Sequence, residues 1–263
     1  MCRMLIAIGN MPSDAIIDGM IKMASDRNTQ HELNQNVLGT FRHGDGWGVA
    51  YFDSQGKWRV KKSTQALYED PSLNSFRSQA GRIVLIHARK KTKGNISLMN
   101  THPFHASLPG GGDFVFAHNG TINDKIKHHL SFKVQGSTDS EQLFYALLST
   151  LHDQATKPTV EALHQTLAGY EDYIGTNIIL ASMKTTFVAT KKPIANPWYY
   201  QMSLGMRKDG VIVSSEPISL AGVSWSVITA GDIVEIDNAT LAVKIHTFKD
   251  TSVPQNLLLV KSS

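Results

Sequence analysis

The chain contains one cysteine, Cys2, directly after Met1. Cysteine is small enough for an aminopeptidase to remove the initiator methionine, which would leave a thiol and a free α-amino group on one residue. An α-amino group has a pKa of about 7.7–8.0, suited to a general base near neutral pH. A thiol with its own built-in base is the N-terminal nucleophile arrangement, the cysteine version of the threonine pairing. The same residue also reads as a small buried apolar side chain at the start of a strand, and both readings stand.

Four more stretches carry groups suited to a pocket: His87-Ala88-Arg89, Asn100 to Phe104, His118-Asn119-Gly120 and Thr138 to Glu141. Each sits at an expected strand or helix end, where side chains of a rigid scaffold converge. Arg89 could clamp a carboxylate through two parallel hydrogen bonds, or be a solvated cation in the run with Lys90, Lys91 and Lys93. Asn119 and the Gly120 backbone N–H make a pair of oxyanion donors, although Asn-Gly alone is first of all a tight-turn signal. Thr138 to Glu141 fits a capping box ahead of a helix, with Asp139 in the first turn, able to bind an ammonium group or to complement the helix dipole. The spacing of His87, His102, His105 and His118 matches no standard zinc pattern, and no metal is expected. Gly110-Gly111-Gly112 lacks the Lys-Ser/Thr of a phosphate loop and reads as a connection between strands.

Short apolar and β-branched runs bounded by Gly, Asn, Asp and Pro predict strands over Met4–Gly9, Gly48–Asp53, Trp58–Lys62, Arg82–Ala88, Phe114–His118, Asn177–Met183, Thr186–Lys191, Val211–Ser214 and Ile233–Ile236. Several connections are too short for a parallel crossover. Helical stripes follow Pro12-Ser13-Asp14, run over Leu143 to Leu151 and follow Pro158, with weaker helix signals after Pro71 and Thr121. Helices thus fall among strands without strict βαβ alternation, which favours an α+β fold with antiparallel sheets. Lys57, Arg59 and Lys61 alternate with Trp58 and Val60, as on the wet face of an edge strand.

The chain has 263 residues, 41% of them hydrophobic and 18% charged, which fits a globular protein and excludes a fibrous or disordered one. No repeat or long linker divides it, so residues 1–263 are expected to form one domain. With one cysteine there is no disulfide framework, and a net charge of +4 announces no polyanion partner. The apolar part of the N-terminus is far short of a signal-peptide core, and no apolar run approaches a membrane span, so a cytoplasmic protein without membrane or nucleic-acid partners is expected.

In order along the chain, Met1-Cys2, His43-Gly44-Asp45-Gly46-Trp47-Gly48, His87-Ala88-Arg89 with Thr92 and Gly94, Asn100 to Phe104, His118-Asn119-Gly120 and Thr138 to Glu141 resemble the class II glutamine amidotransferases. They are most similar to the stand-alone bacterial type, which is related to γ-glutamyl hydrolases. Val213 to Pro217 with Gly231-Asp232 also looks like that family's C-terminal part. The resemblance implies a four-layer αββα sandwich of the N-terminal nucleophile hydrolases and no cofactor. It also implies roles: Cys2 as nucleophile, Asn119 and Gly120 as oxyanion hole, Arg89 and Asp139 on the substrate's α-carboxylate and α-ammonium, and Gly46 and Trp47 in the loop backing the nucleophile. Thr92, His102 and His118 would complete the substrate site. Lys90 and Lys93 stand where the fused synthases usually carry Trp and His. The implied activity is hydrolysis of the γ-amide of glutamine or a γ-glutamyl compound through a Cys2 thioester, with ammonia released or passed to a separate synthase subunit. Another cysteine N-terminal amide hydrolase and a catalytically silent binding member of the fold are the alternatives.

Overall fold

The computed structural model describes residues 2–28, 41–77, 81–108, 111–153, 160–194 and 198–248. One sheet has seven antiparallel strands in the order β11-β9-β10-β1-β4-β2-β3. In chain order these are β1 (Arg3–Gly9), β2 (Trp47–Phe52), β3 (Trp58–Ser63), β4 (Ile83–Ala88), β9 (Met202–Arg207), β10 (Gly210–Ser214) and β11 (Ser224–Ile228). The other has six, in the order β13-β12-β8-β7-β6-β5. They are β5 (Phe104–Ser107), β6 (Asp113–Ile122), β7 (Tyr173–Ala181), β8 (Thr185–Lys191), β12 (Ile233–Asp237) and β13 (Val243–His246).

Alternation along the strands explains the layering. Met4, Ile6 and Ile8 of β1 pack with Val115 and Ala117 of β6 and Ile179 and Ala181 of β7, forming the core between the sheets. Leu5 and Ala7 point the other way, onto helix α1 (Ser13–Ala24), which buries Ile16, Ile17, Met20 and Met23 there. On the far face of the second sheet, Phe114, Phe116, Ile178 and Leu180 pack against helices α2 (Asp139–Asp153) and α3 (Val160–Ala168). The order is therefore helix, sheet, sheet, helices, the expected αββα sandwich.

Two local expectations change. The helix signal after Thr121 is not realised: β6 runs on to Ile122, and the Asn123 backbone and side chain are both tied to Asp172. After Pro71 a 3₁₀ helix forms, capped by the Asp70 side chain, which accepts from the Ser72 N–H. The strand β3 is an edge, as the alternating basic residues predict. Gly111 and Gly112 close the β5–β6 connection, while Pro109 and Gly110 lie outside the described residues.

Candidate active site

Period-two alternation carries Cys2 to the same inner face as Met4 and turns Arg3 outward. Cys2 is 7% exposed, and its Sγ lies 3.8 Å from the Lys90 carbonyl oxygen. Across the gap, β6 presents Asn119 on the inner face with Val115 and Ala117. The Cys2 N–H donates to Asn119 Oδ1 at 2.6 Å. The other half of that amide, Nδ2, is buried and has no partner among the described residues. A buried amide with one end anchored and its donor end unpaired is a donor held ready for a ligand oxygen.

Asn119-Gly120 is not a turn; both residues lie inside β6, opposite Asn177 and Thr176 of β7. The reason is packing: a Cβ on Gly120 would sit 1.8 Å from the Gly175 carbonyl oxygen, so only glycine lets the two strands pair here. On its other edge β6 is covered by β5 only as far as Phe116, leaving 117–122 without a strand partner on that side among the described residues. The His118 backbone meets the His87 imidazole across this edge, and strand periodicity turns the Gly120 N–H the same way.

The open edge is fastened at its end. The Ile122 N–H, freed where the β6–β7 register shifts, donates to Asp139 Oδ2 at 2.7 Å, and Lys93 Nζ donates to the Ile122 carbonyl at 2.5 Å. Asp139 is buried in the first turn of α2. The expected cap is present, with the Glu141 N–H donating to Thr138 Oγ1 at 3.3 Å, but the Glu141 carboxylate accepts from the Gln135 and Gly136 N–H groups. Thr92 meets Thr121 of β6 through their hydroxyls at 3.2 Å.

Arg89 is 3% exposed, not a solvated cation. Its Nη1 donates to the Asn95 carbonyl and its Nη2 to the Lys93 carbonyl, leaving a second N–H on each terminal nitrogen. Burial pulls its pKa down, while the charges of Cys2 and Asp45 act the other way. Gly46 adopts φ +120°, a conformation that favours glycine, and its carbonyl accepts from the Arg89 N–H at 2.8 Å. Trp47 is fully buried, but in the outer-face core: its ring meets Phe76 and its Nε1 donates to Asp70. It braces the segment bearing Gly46 and is not gathered with Asn119 and Asp139.

His87, His102 and His118 are buried. The His87 and His102 rings lie 4.2 Å apart, tilted by 38°, and His118 Nδ1 bonds Ser140 Oγ at 2.9 Å. Burial lowers the pKa of His87 to about 3 and that of His118 to about 4, and moves His102 well below its ordinary value, so all three are neutral at pH 7. Among the described residues no three His, Cys, Asp or Glu are gathered so as to hold a metal ion.

The structure adds residues that the sequence did not single out. Asn177 donates to the Tyr200 carbonyl at 2.6 Å, and the Tyr200 hydroxyl is buried without a partner. Burial, chiefly, and the Cys2 charge raise the Tyr200 pKa. On the outward side Arg3 pairs with Glu216 at 2.5 Å, both nearly inaccessible. Glu216 stood in the family-like stretch at 213–217, and Arg3 adjoins Cys2, but the two tyrosines carried no sequence signal.

The profile of the class-II glutamine amidotransferases matches residues 10–192, a stretch that contains Arg89, Asn119, Gly120 and Asp139 but not Cys2. The chain is 30% identical to YafJ of Escherichia coli over 156 residues, 57% of this chain and 55% of that protein. It spans about half the length of that relative and of a Haemophilus influenzae relative that it also matches. It is 26% identical to the γ-glutamyl-hercynylcysteine sulfoxide hydrolase of Mycolicibacterium smegmatis, over 92% of this chain and 99% of that one. In fold it is similar to the glutamine phosphoribosylpyrophosphate amidotransferase of B. subtilis, with a TM-score of 0.66, 15% identity, and coverage of 94% of this chain and 49% of that one. Among the described residues no helix is long and apolar enough to cross a membrane. With its family profile matched over more than half its length and its sandwich shared with a solved amidotransferase, the chain belongs to the class II glutamine amidotransferases.

Proposed function

We propose that the chain is an amidohydrolase acting on the γ-amide of glutamine or of a γ-glutamyl compound, with residues 1–263 working as one domain and Cys2 at the mature N-terminus. The freed α-amino group takes the thiol proton, and the thiolate attacks the γ-carbonyl carbon. Asn119 Nδ2 and the Gly120 N–H hold the oxyanion that forms. Collapse of the tetrahedral intermediate breaks the C–N bond, and the leaving nitrogen carries off the proton held by the amine. Water then hydrolyses the thioester, the α-amino group again serving as base, to give glutamate or its γ-carboxyl equivalent. Arg89 and Asp139 bind the substrate's α-carboxylate and α-ammonium, so recognition rests on the free amino-acid end, with Gly46, Thr92, His102 and His118 shaping the walls around it.

One observation carries this reading: Asn119 bonds the Cys2 nitrogen with its oxygen while its buried amide nitrogen is unpaired. The name of the Mycolicibacterium smegmatis relative, a γ-glutamyl compound hydrolase of nearly the same length, supports the substrate class. The test is intact mass of the purified protein, followed by a turnover screen of glutamine against γ-glutamyl amides and amides lacking the α-ammonium or α-carboxylate. A chain beginning at Cys2 that cleaves only substrates with both groups is expected. Full activity with Met1 retained, or equal cleavage of amides without an amino-acid end, would overturn the reading. In cells we place the protein in the cytoplasm. Release of ammonia or amine without a partner is expected; a stoichiometric co-purifying synthase would show instead that ammonia is passed on.

A further inference from the structure

Against the Cys2 carbonyl lies a buried polar group that the proposed chemistry does not use. Tyr199, just before β9, is 1% exposed. Its hydroxyl lies 3.2 Å from the Cys2 carbonyl oxygen and 2.7 Å from Nε2 of His43, itself 1% exposed. The ring is held on several sides. The Arg3 guanidinium stacks on it at 4.0 Å and donates through Nη1 to the Tyr199 carbonyl, Phe41 meets its face edge-on at 5.5 Å, and Tyr200 crosses it at 5.3 Å. Arg3 is fixed in turn by Glu216, whose second oxygen accepts from Asn28.

We infer that His43 and Tyr199 are positioning residues for the nucleophile: His43, protonated on Nε2, donates to Tyr199 Oη and thereby commits the tyrosine proton to the Cys2 carbonyl. A tyrosyl oxygen has one proton and stands here between two atoms able to accept it. With the imidazole proton on Nε2, both hydrogen bonds form and run in one direction. With the proton on Nδ1, the tyrosine would be drawn to the closer imidazole, and the Cys2 carbonyl would lose its donor. In the first arrangement Cys2 is gripped at both ends of its backbone, by Asn119 at the nitrogen and by Tyr199 at the carbonyl. Only rotation of the thiol about Cα–Cβ is then left free. This inference rests on the reading of Cys2 as nucleophile.

The test uses Tyr199→Phe, which keeps the ring and its packing and removes the hydroxyl, together with His43→Gln and His43→Leu. Gln can place an amide N–H where Nε2 stands; Leu cannot. Because the chain has one cysteine, the rate of its alkylation by iodoacetamide reports on Cys2 alone. We expect Tyr199→Phe and His43→Leu to lower kcat about 10-fold or more at nearly unchanged KM, since small misplacement of a reacting group is costly. Both should also shift the pH profile of alkylation, while His43→Gln stays within about threefold of wild type on both measures. A wild type inactive on every γ-glutamyl substrate would refute the proposed function, and the alkylation profiles would still decide the inference. An active wild type with Tyr199→Phe unchanged in kcat and in alkylation profile, whatever its melting temperature, would overturn the inference alone. His43→Gln as impaired as His43→Leu would overturn the directed hydrogen bond.

Discussion

The two sides of Cys2 differ in how completely their buried polar atoms are paired. On the Arg3 side, guanidinium, carboxylate, phenol and imidazole bond one another, and of their nitrogens only Arg3 Nε and His43 Nδ1 lack a partner. On the β6–β7 side, Asn119 Nδ2, Asn177 Oδ1 and Tyr200 Oη are buried and have no partner among the described residues. An unpaired buried polar atom costs stability, so a cluster of them is tolerated where something else completes them. One side thus holds Cys2 in place; on the proposed function, the other is completed by a polar ligand.

Substitutions can break this contrast. Cys2→Ala should remove on the order of 10⁴-fold or more of the turnover, measured as ammonia or amine release, because on the proposed mechanism the chain's one cysteine forms the thioester. Glu216→Gln should act on stability: it strands a guanidinium that is 2% exposed, at a cost of about 3–5 kcal/mol in urea unfolding. Replacing both partners, Arg3→Met with Glu216→Leu, should recover most of that loss. A cost below about 1 kcal/mol for Glu216→Gln would show that the paired side is not what holds Cys2 in place. Asn119→Ala should do the reverse, lowering kcat by about 10²–10³, or about 2.7–4 kcal/mol of barrier, with a smaller change in unfolding free energy than Glu216→Gln. If it retained wild-type turnover on every γ-glutamyl substrate tried, the oxyanion assignment would be wrong.

Per residue, the smallest expected effect is with pH. His87 and His118 have folded pKa values of about 3 and about 4, below the unfolded value near 6.5, so the unfolded chain binds protons first as pH falls. Their contribution to stability is complete above about pH 6.5 and is lost progressively toward about 4 for His118 and 3 for His87. Between pH 7.5 and 5 this amounts to about 2 kcal/mol per buried histidine, read from urea unfolding at the two values. A flat profile there would show that these imidazoles reach solvent and do not belong to the buried unpaired side.

The nine expected strands are all present because each carries a β-branched or apolar run that one sheet face buries. The four that escaped notice lack such a run or are short. β9 reads Met-Ser-Leu-Gly-Met-Arg, without a β-branched residue, and forms because β10 pairs with it across a two-residue turn. β13 and β5 have four residues each, and β11 is largely exposed, with Val227 at 57%. Arg89 illustrates the limit for the site: local sequence places it in a basic run, yet the fold buries it by bonding its two terminal nitrogens to carbonyls four and six residues on.

The sequence by itself determined the alternation that turns Cys2 inward, the cap ahead of α2, the antiparallel character of the sheets and, through the order of its motifs, the family. These are properties of spacing along one chain, which local sterics and side-chain period transmit directly. Tertiary structure alone decided that Asn119-Gly120 continues a strand, since the Gly175 carbonyl that forbids a Cβ lies 55 residues away. It alone decided that Tyr199 sits against Cys2 and Glu216 against Arg3, each roughly 200 residues away along the chain. Contacts of that separation arise from how two sheets stack, and no local pattern encodes them.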